Sequence, residues 1–127
     1  MDYTNKVIEH FKNPKNVGEL EGANAVGRVG SASCGDKMEM YLLIEDGIIK
    51  DAKFMTFGCA AAISSSSVAT ELLKGMTIQE AKELKNQKVV EELGGLPGEK
   101  IHCSVMVEEA VKAALEDYEK RNKKKNI

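Results

Sequence analysis

The chain has 127 residues, 43% hydrophobic and 30% charged, with a net charge of −2. That length suits one domain with a buried core. The near-neutral charge excludes electrostatic attraction to nucleic acid or a membrane surface, and the absence of tryptophan removes the usual stacking platforms. The first residues show no basic-then-apolar leader, and no stretch reaches the roughly 18 to 20 apolar residues of a membrane span. The expectation is a cytoplasmic protein without membrane or nucleic-acid partners. An odd number of cysteines, three, in a reducing compartment points to buried filler, reactive thiols or metal ligands rather than disulfides.

In chain order, Thr4 can cap a short helix over residues 4–12, where Val7, Ile8 and Phe11 share a face, and Pro14 ends it. Residues 15–26 are polar and glycine-rich and read as a loop, and residues 1–22 are the candidate mobile segment. Three strands follow: 25–33, 37–45 and 48–57. In the second, Met38, Met40, Leu42 and Ile44 alternate with Glu39, Tyr41 and Leu43. Asp46-Gly47 is a hairpin signal. Ala60–Lys74 reads as a helix stopped by Gly75. Thr77 and Glu80 have capping-box spacing for a short helix, and Asn86 is a candidate cap for another. After the break at Gly94–Gly98, the last helix spans about His102–Lys120, with Val107, Ala110, Val111, Ala114, Leu115 and Tyr118 on one stripe. The basic end, residues 121–127, reads as frayed. Strands first and helices after predict an α+β fold: a small three-stranded antiparallel sheet, helices packed on one face, and a long C-terminal helix, in one domain over 1–127.

Every cysteine falls at an element boundary. Cys34 and Asp36 flank Gly35, and in extended chain residues two apart face the same side. Cys59 follows Gly58, which supplies flexibility where a strand gives way to a helix, and a helix N-terminus favours thiolate. Cys103 follows His102 at the start of the last helix, in line with its buried stripe. The intervals, 24 residues from Cys34 to Cys59 and 43 from Cys59 to Cys103, lack a C-x-x-C knuckle, so the fold must gather the ligands. Three thiolates with a carboxylate or an imidazole suit zinc or an iron–sulfur cluster. A fourth position shared between Asp36 and His102 is weaker than a fourth thiolate and suits a carrier. A single cysteine is more often filler than ligand, but three placed beside Gly, Asp and His favour a site. The run Ser64–Ser67 has no nearby base and reads as small packing residues. His10 reads as solvent-facing and carries no assigned role. A Cys–His hydrolase with Cys103 as nucleophile lacks an oxyanion-hole motif.

Four stretches carry a resemblance: Tyr3–Gly18, Ala32–Asp36, Phe57–Ser67 and Lys100–Ser104. In them the chain resembles the iron–sulfur cluster assembly scaffold proteins IscU and the N-terminal domain of NifU. The resemblance implies a scaffold, not an enzyme, on which a labile [2Fe–2S] cluster is built from iron and desulfurase-derived sulfur. The cluster would sit on Cys34, Cys59 and Cys103 with Asp36 or His102 as fourth ligand, and pass to apo-proteins. It implies a cysteine desulfurase and recipient apo-Fe–S proteins as partners, Cys103 as candidate persulfide acceptor, zinc on the same residues in the apo form, and a monomer or weak dimer. Lys100 matches a family position near the site. The chain departs from the family at Leu96-Pro97-Gly98-Glu99-Lys100, where IscU proteins carry Leu-Pro-Pro-Val-Lys for an Hsp70-type chaperone; that partnership is in doubt. His102 and the lack of a mid-chain insertion separate the chain from the SufU type. The rival reading is a zinc-binding structural or sulfur-relay protein using the same ligands.

Overall fold

A computed structural model describes residues 3–31 and 36–125. The elements are α1 (Asn5–Lys12), β1 (Ala25–Ser31), β2 (Asp36–Glu45), β3 (Ile48–Phe57), α2 (Ala60–Leu73), α3 (Ile78–Lys82), α4 (Asn86–Glu92), a 3-10 turn (Gly98–Lys100) and α5 (Ile101–Lys125). The strands form an antiparallel meander in the order β1-β2-β3. The alternation in β2 has the expected consequence: Met38, Met40, Leu42 and Ile44 are buried. The turn to β3 places Asp46 and Gly47 both at positive φ, the geometry a tight two-residue hairpin needs.

Near that hairpin the register slips: Leu43 pairs with Asp51 but Ile44 with Ile49, leaving Lys50 as the extra residue. A bulge there lets Ile49 and Ala52, an odd number of positions apart, both be buried.

Helices cover the inner face. α5 packs on β1 and β2, α2 on β3, and α1 on α2. On α5 the predicted stripe from Val107 to Leu115 is buried and Tyr118 packs at its edge. The approach to β1 is close: a methyl group at Gly27 would overlap the Ala110 carbonyl oxygen and the Ala114 amide nitrogen. The Asp117 carboxylate accepts from the Val26 amide at 2.9 Å, occupying a backbone donor of β1.

Several expectations change. The last helix runs to Lys125, past the expected end at Lys120. The Arg121 guanidinium pairs with Asp117 at 3.0 Å and donates to the Ala23 carbonyl, fixing the extra turn. Of the apolar residues on α1, only Val7 is buried. His10 is not simply solvent-facing: its Nδ1 lies 2.8 Å from Ser67 Oγ. Residues 15–26 include a short parallel bridge from Val17 to Phe54, so part of the loop pairs with β3. Asn86 is the first residue of α4 rather than its cap, and Glu108 accepts from its amide at 2.7 Å. The predicted end of the first strand, residues 32 and 33, lies outside the described residues. Among the described residues no helix is long and apolar enough to cross a membrane.

Candidate metal centre

The site forms where three elements begin. Asp36 is the first residue of β2, Cys59 is the N-cap of α2, and Cys103 lies in the first turn of α5. Donor atoms of Asp36, Cys59 and Cys103 all lie within 4.8 Å of one another. The two thiols are 3.5 Å apart. Cys59 is half-buried, Cys103 is fully buried, and Asp36 is 8% exposed. Cys34, predicted to join this set, lies outside the described residues.

Local sequence explains each position. Cys59 ends the extended chain and opens α2 without donating or accepting a side-chain cap bond, so its sulfur is left to the site. Cys103 follows the buried stripe of α5, which draws its side chain inward. Ser104 fixes the same turn: its hydroxyl donates to the Ile101 carbonyl at 2.6 Å and accepts from the Asn86 side chain at 3.2 Å. Gly58 does not adopt a left-handed backbone, so its expected flexibility is not what the turn uses. A Cβ there would instead meet the Asp36 carboxylate and Ala62.

His102 is exposed, and the structure brings it to the rim. Its Nδ1 is 3.1 Å from the Glu99 carbonyl oxygen and its Nε2 is 3.6 Å from Cys103 Sγ. A carbonyl only accepts, so Nδ1 carries a proton, and in the neutral ring Nε2 is the nitrogen with the lone pair, facing the thiols. This tautomer is set by backbone geometry in the 3-10 turn, which sequence periodicity did not reveal.

Burial, then the hydrogen bond and charge of Cys59, and then the charge of Asp36 push the Cys103 thiol up to about 12, against the pull of Lys100. The Lys100 ammonium is raised chiefly by the charge of Cys59, to which it is also hydrogen-bonded. Tyr3, which carries no role from sequence, also stands close to the site. It packs against the core, and burial, then the charge of Cys59, raise its phenol. Its signal in the sequence is its place at the head of the Tyr3–Gly18 stretch that carries the resemblance.

The donors are two soft thiols and one hard carboxylate, with an imidazole nitrogen beside them. That set fits a borderline metal or an iron–sulfur unit better than magnesium or calcium, which prefer oxygen donors.

Residues 2–125 match the family described as NifU-like N terminal domain. The chain is 51% identical over 122 residues to the iron-sulfur cluster assembly scaffold protein IscU 1 of Archaeoglobus fulgidus, covering 96% of this chain and 80% of that protein. It is 52% identical over 122 residues to the IscU scaffold protein of Azotobacter vinelandii, covering 93% and 94%. Among solved structures, it is similar to a putative SUF-system scaffold protein from Fervidobacterium islandicum. That likeness has a TM-score of 0.70 at 26% identity, covering 89% of this chain and 96% of the other.

Proposed function

The chain belongs to the NifU-like N-terminal domain family, and from that premise we propose that it is a scaffold for assembling a labile [2Fe–2S] cluster and handing it to apo-proteins. The observation that carries the reading is the convergence of Asp36, Cys59 and Cys103 within 4.8 Å. Cys34 completes the proposed thiolate set; it is two residues from Asp36, and two peptide units span at most about 7 Å. The cluster is cargo, so the site has to hold it and also release it.

Sulfur arrives as persulfide from a cysteine desulfurase. In the proposed step a thiolate attacks the outer sulfur of the donor persulfide. A new S–S bond forms on the scaffold as the donor's S–S bond breaks, and the donor cysteine leaves as thiolate. Cys103 is the proposed acceptor. Because it is fully buried, either the site opens or sulfur passes by way of half-buried Cys59, 3.5 Å away. Reducing each bound sulfur to sulfide takes two electrons from an external electron donor. The protein itself supplies ligands and geometry and turns over no substrate.

Asp36 and His102 compete for the fourth position. A carboxylate is a hard donor on a soft cluster and adds negative charge, which favours release; the His102 Nε2 is a neutral alternative close to the same sulfur. Zinc is the proposed occupant of these ligands in the apo form. The protein is proposed to act in the cytoplasm as a monomer or weak dimer. Gly98 and Glu99 argue against recruitment of an Hsp70-type chaperone through the Leu96–Lys100 segment.

The test is anaerobic reconstitution with ferrous iron, cysteine and a desulfurase. The expected result is the visible absorbance of a [2Fe–2S] centre that transfers to an apo-ferredoxin. Zinc that resists exchange, with no transferable cluster, would overturn the reading in favour of a structural zinc protein.

A further inference from the structure

Gly58 sits between β3 and α2, directly before Cys59. Its φ is outside the left-handed region, so backbone conformation does not require glycine there. Space does. A Cβ on Gly58 would stand 3.1 Å from Asp36 Oδ1, 3.3 Å from Asp36 Cγ and 3.0 Å from the Ala62 Cβ. The two neighbours differ in how far they can yield. Ala62 is fully buried in the first turn of α2, and its methyl moves only with the helix. The Asp36 carboxylate is the free end of a side chain. A methyl group added at Gly58 would therefore be held off by Ala62 and would displace the carboxylate.

We propose that Gly58 is a positioning residue: the empty volume where its side chain would be is the seat that lets the Asp36 carboxylate lean against Cys59 and Cys103. The inference rests on the reading of Asp36 as a ligand and deepens it. It also assigns the Phe57-Gly58-Cys59 turn a chemical task. The turn delivers one thiol and leaves room beside it for the hard donor, so a methyl at position 58 would make the carboxylate give by a few tenths of an ångström and loosen its fit against the thiols.

The probe is Co2+ added anaerobically to the metal-free protein. Its visible d–d bands report the donor set, its near-ultraviolet charge-transfer bands report thiolates, and chelator competition gives affinity. Four proteins are compared: parent, Asp36→Ala, Gly58→Ala and the double variant. Asp36→Ala is expected to shift the d–d bands and weaken cobalt binding by about tenfold. Gly58→Ala is expected to shift the d–d bands in the same direction by a smaller amount, with its thiolate bands kept. The double variant should bind no more weakly than Asp36→Ala alone, since without the carboxylate the methyl has nothing to displace.

A parent-like spectrum for Gly58→Ala beside a shifted one for Asp36→Ala overturns the inference and leaves the ligand reading standing, as does an additive loss in the double variant. An unshifted Asp36→Ala spectrum overturns the ligand reading, and the inference falls with it. Should Gly58→Ala fail to fold, the double variant decides: folding restored by removing the carboxylate supports the seat, and failure of both variants overturns it.

Discussion

Cys59 Sγ and Cys103 Sγ stand 3.5 Å apart, one half-buried and the other sealed from solvent. Burial and the neighbouring Cys59 push the Cys103 thiol up to about 12. A thiol is neutral when protonated. In the unfolded chain it ionises near about pH 8.5, while in the metal-free fold it stays protonated to a much higher pH. Its contribution to stability is thus fully present below about pH 8.5 and is lost as pH rises from there towards about 12. Urea denaturation of metal-free protein at stepped pH should show stability falling over that window. Cys103→Ser should show a shallower fall, with the remainder due to groups such as Tyr41, also pushed up to about 12 by burial and then by Glu39. Parallel curves would contradict the assignment. Zinc binding must strip the same proton, so zinc affinity should rise with pH and binding should release protons measurable in weak buffer.

Asp36 and His102 are expected to act in opposite directions on cluster release. Replacing Asp36 with alanine removes the hard, charged donor and leaves the Nε2 of His102, 3.6 Å from Cys103 Sγ, as the alternative. Transfer to apo-ferredoxin should slow by about tenfold, equivalent to about 1.4 kcal/mol on the barrier. His102→Ala should speed loss of the cluster. Stopped-flow transfer from each reconstituted variant checks both, and faster loss from Asp36→Ala would make the carboxylate an ordinary stabilising ligand.

How much of this was legible in the sequence depends on the range of the interaction. The alternation of β2, the Asp46-Gly47 turn, the Thr77–Glu80 capping box and the stripe of α5 are local patterns, and each appears at its predicted place. The slip at Lys50 depends on what β2 places opposite, which β3 alone does not encode. The amide of Asn86 finds its acceptor on Glu108, and His10 meets Ser67, 57 positions away; no window along the chain contains either pair. The site divides in the same way. Its residue types stood out because each cysteine has Gly, Asp or His beside it. The tautomer of His102, the seat at Gly58 and the nearness of Lys100 to Cys59 depend on how three elements converge.

The Gly27 contact predicts a steep packing cost. An added methyl would overlap backbone atoms at Ala110 and Ala114, and backbone in the middle of a helix cannot turn aside as a side chain can. Gly27→Ala should destabilise the metal-free protein by about 3 kcal/mol or more, measured by urea denaturation. Gly98→Ala, where a Cβ meets nothing within 4 Å, is the control and should leave the midpoint nearly unchanged.

The serine run on α2 gives the last prediction, because it turns out to be the dock of the N-terminal segment. The Ser64 hydroxyl donates to the Val7 carbonyl at 2.7 Å. Ser67 Oγ accepts from the Lys15 amide at 2.8 Å and lies 2.8 Å from His10 Nδ1. The Thr70 hydroxyl accepts from the Asn16 side chain at 3.0 Å. With Val7 the one buried side chain of α1, these bonds carry much of the docking. Ser67→Ala leaves a backbone donor and an imidazole nitrogen without their partner, at a cost of about 1 to 3 kcal/mol. Ser64→Ala should cost about 1 kcal/mol, because only one neutral hydrogen bond is lost. Amide hydrogen exchange should localise the effect, with faster exchange across residues 5–18 in Ser67→Ala and little change in β2. Uniformly faster exchange would instead mean that the serine supports the whole core rather than the dock of α1.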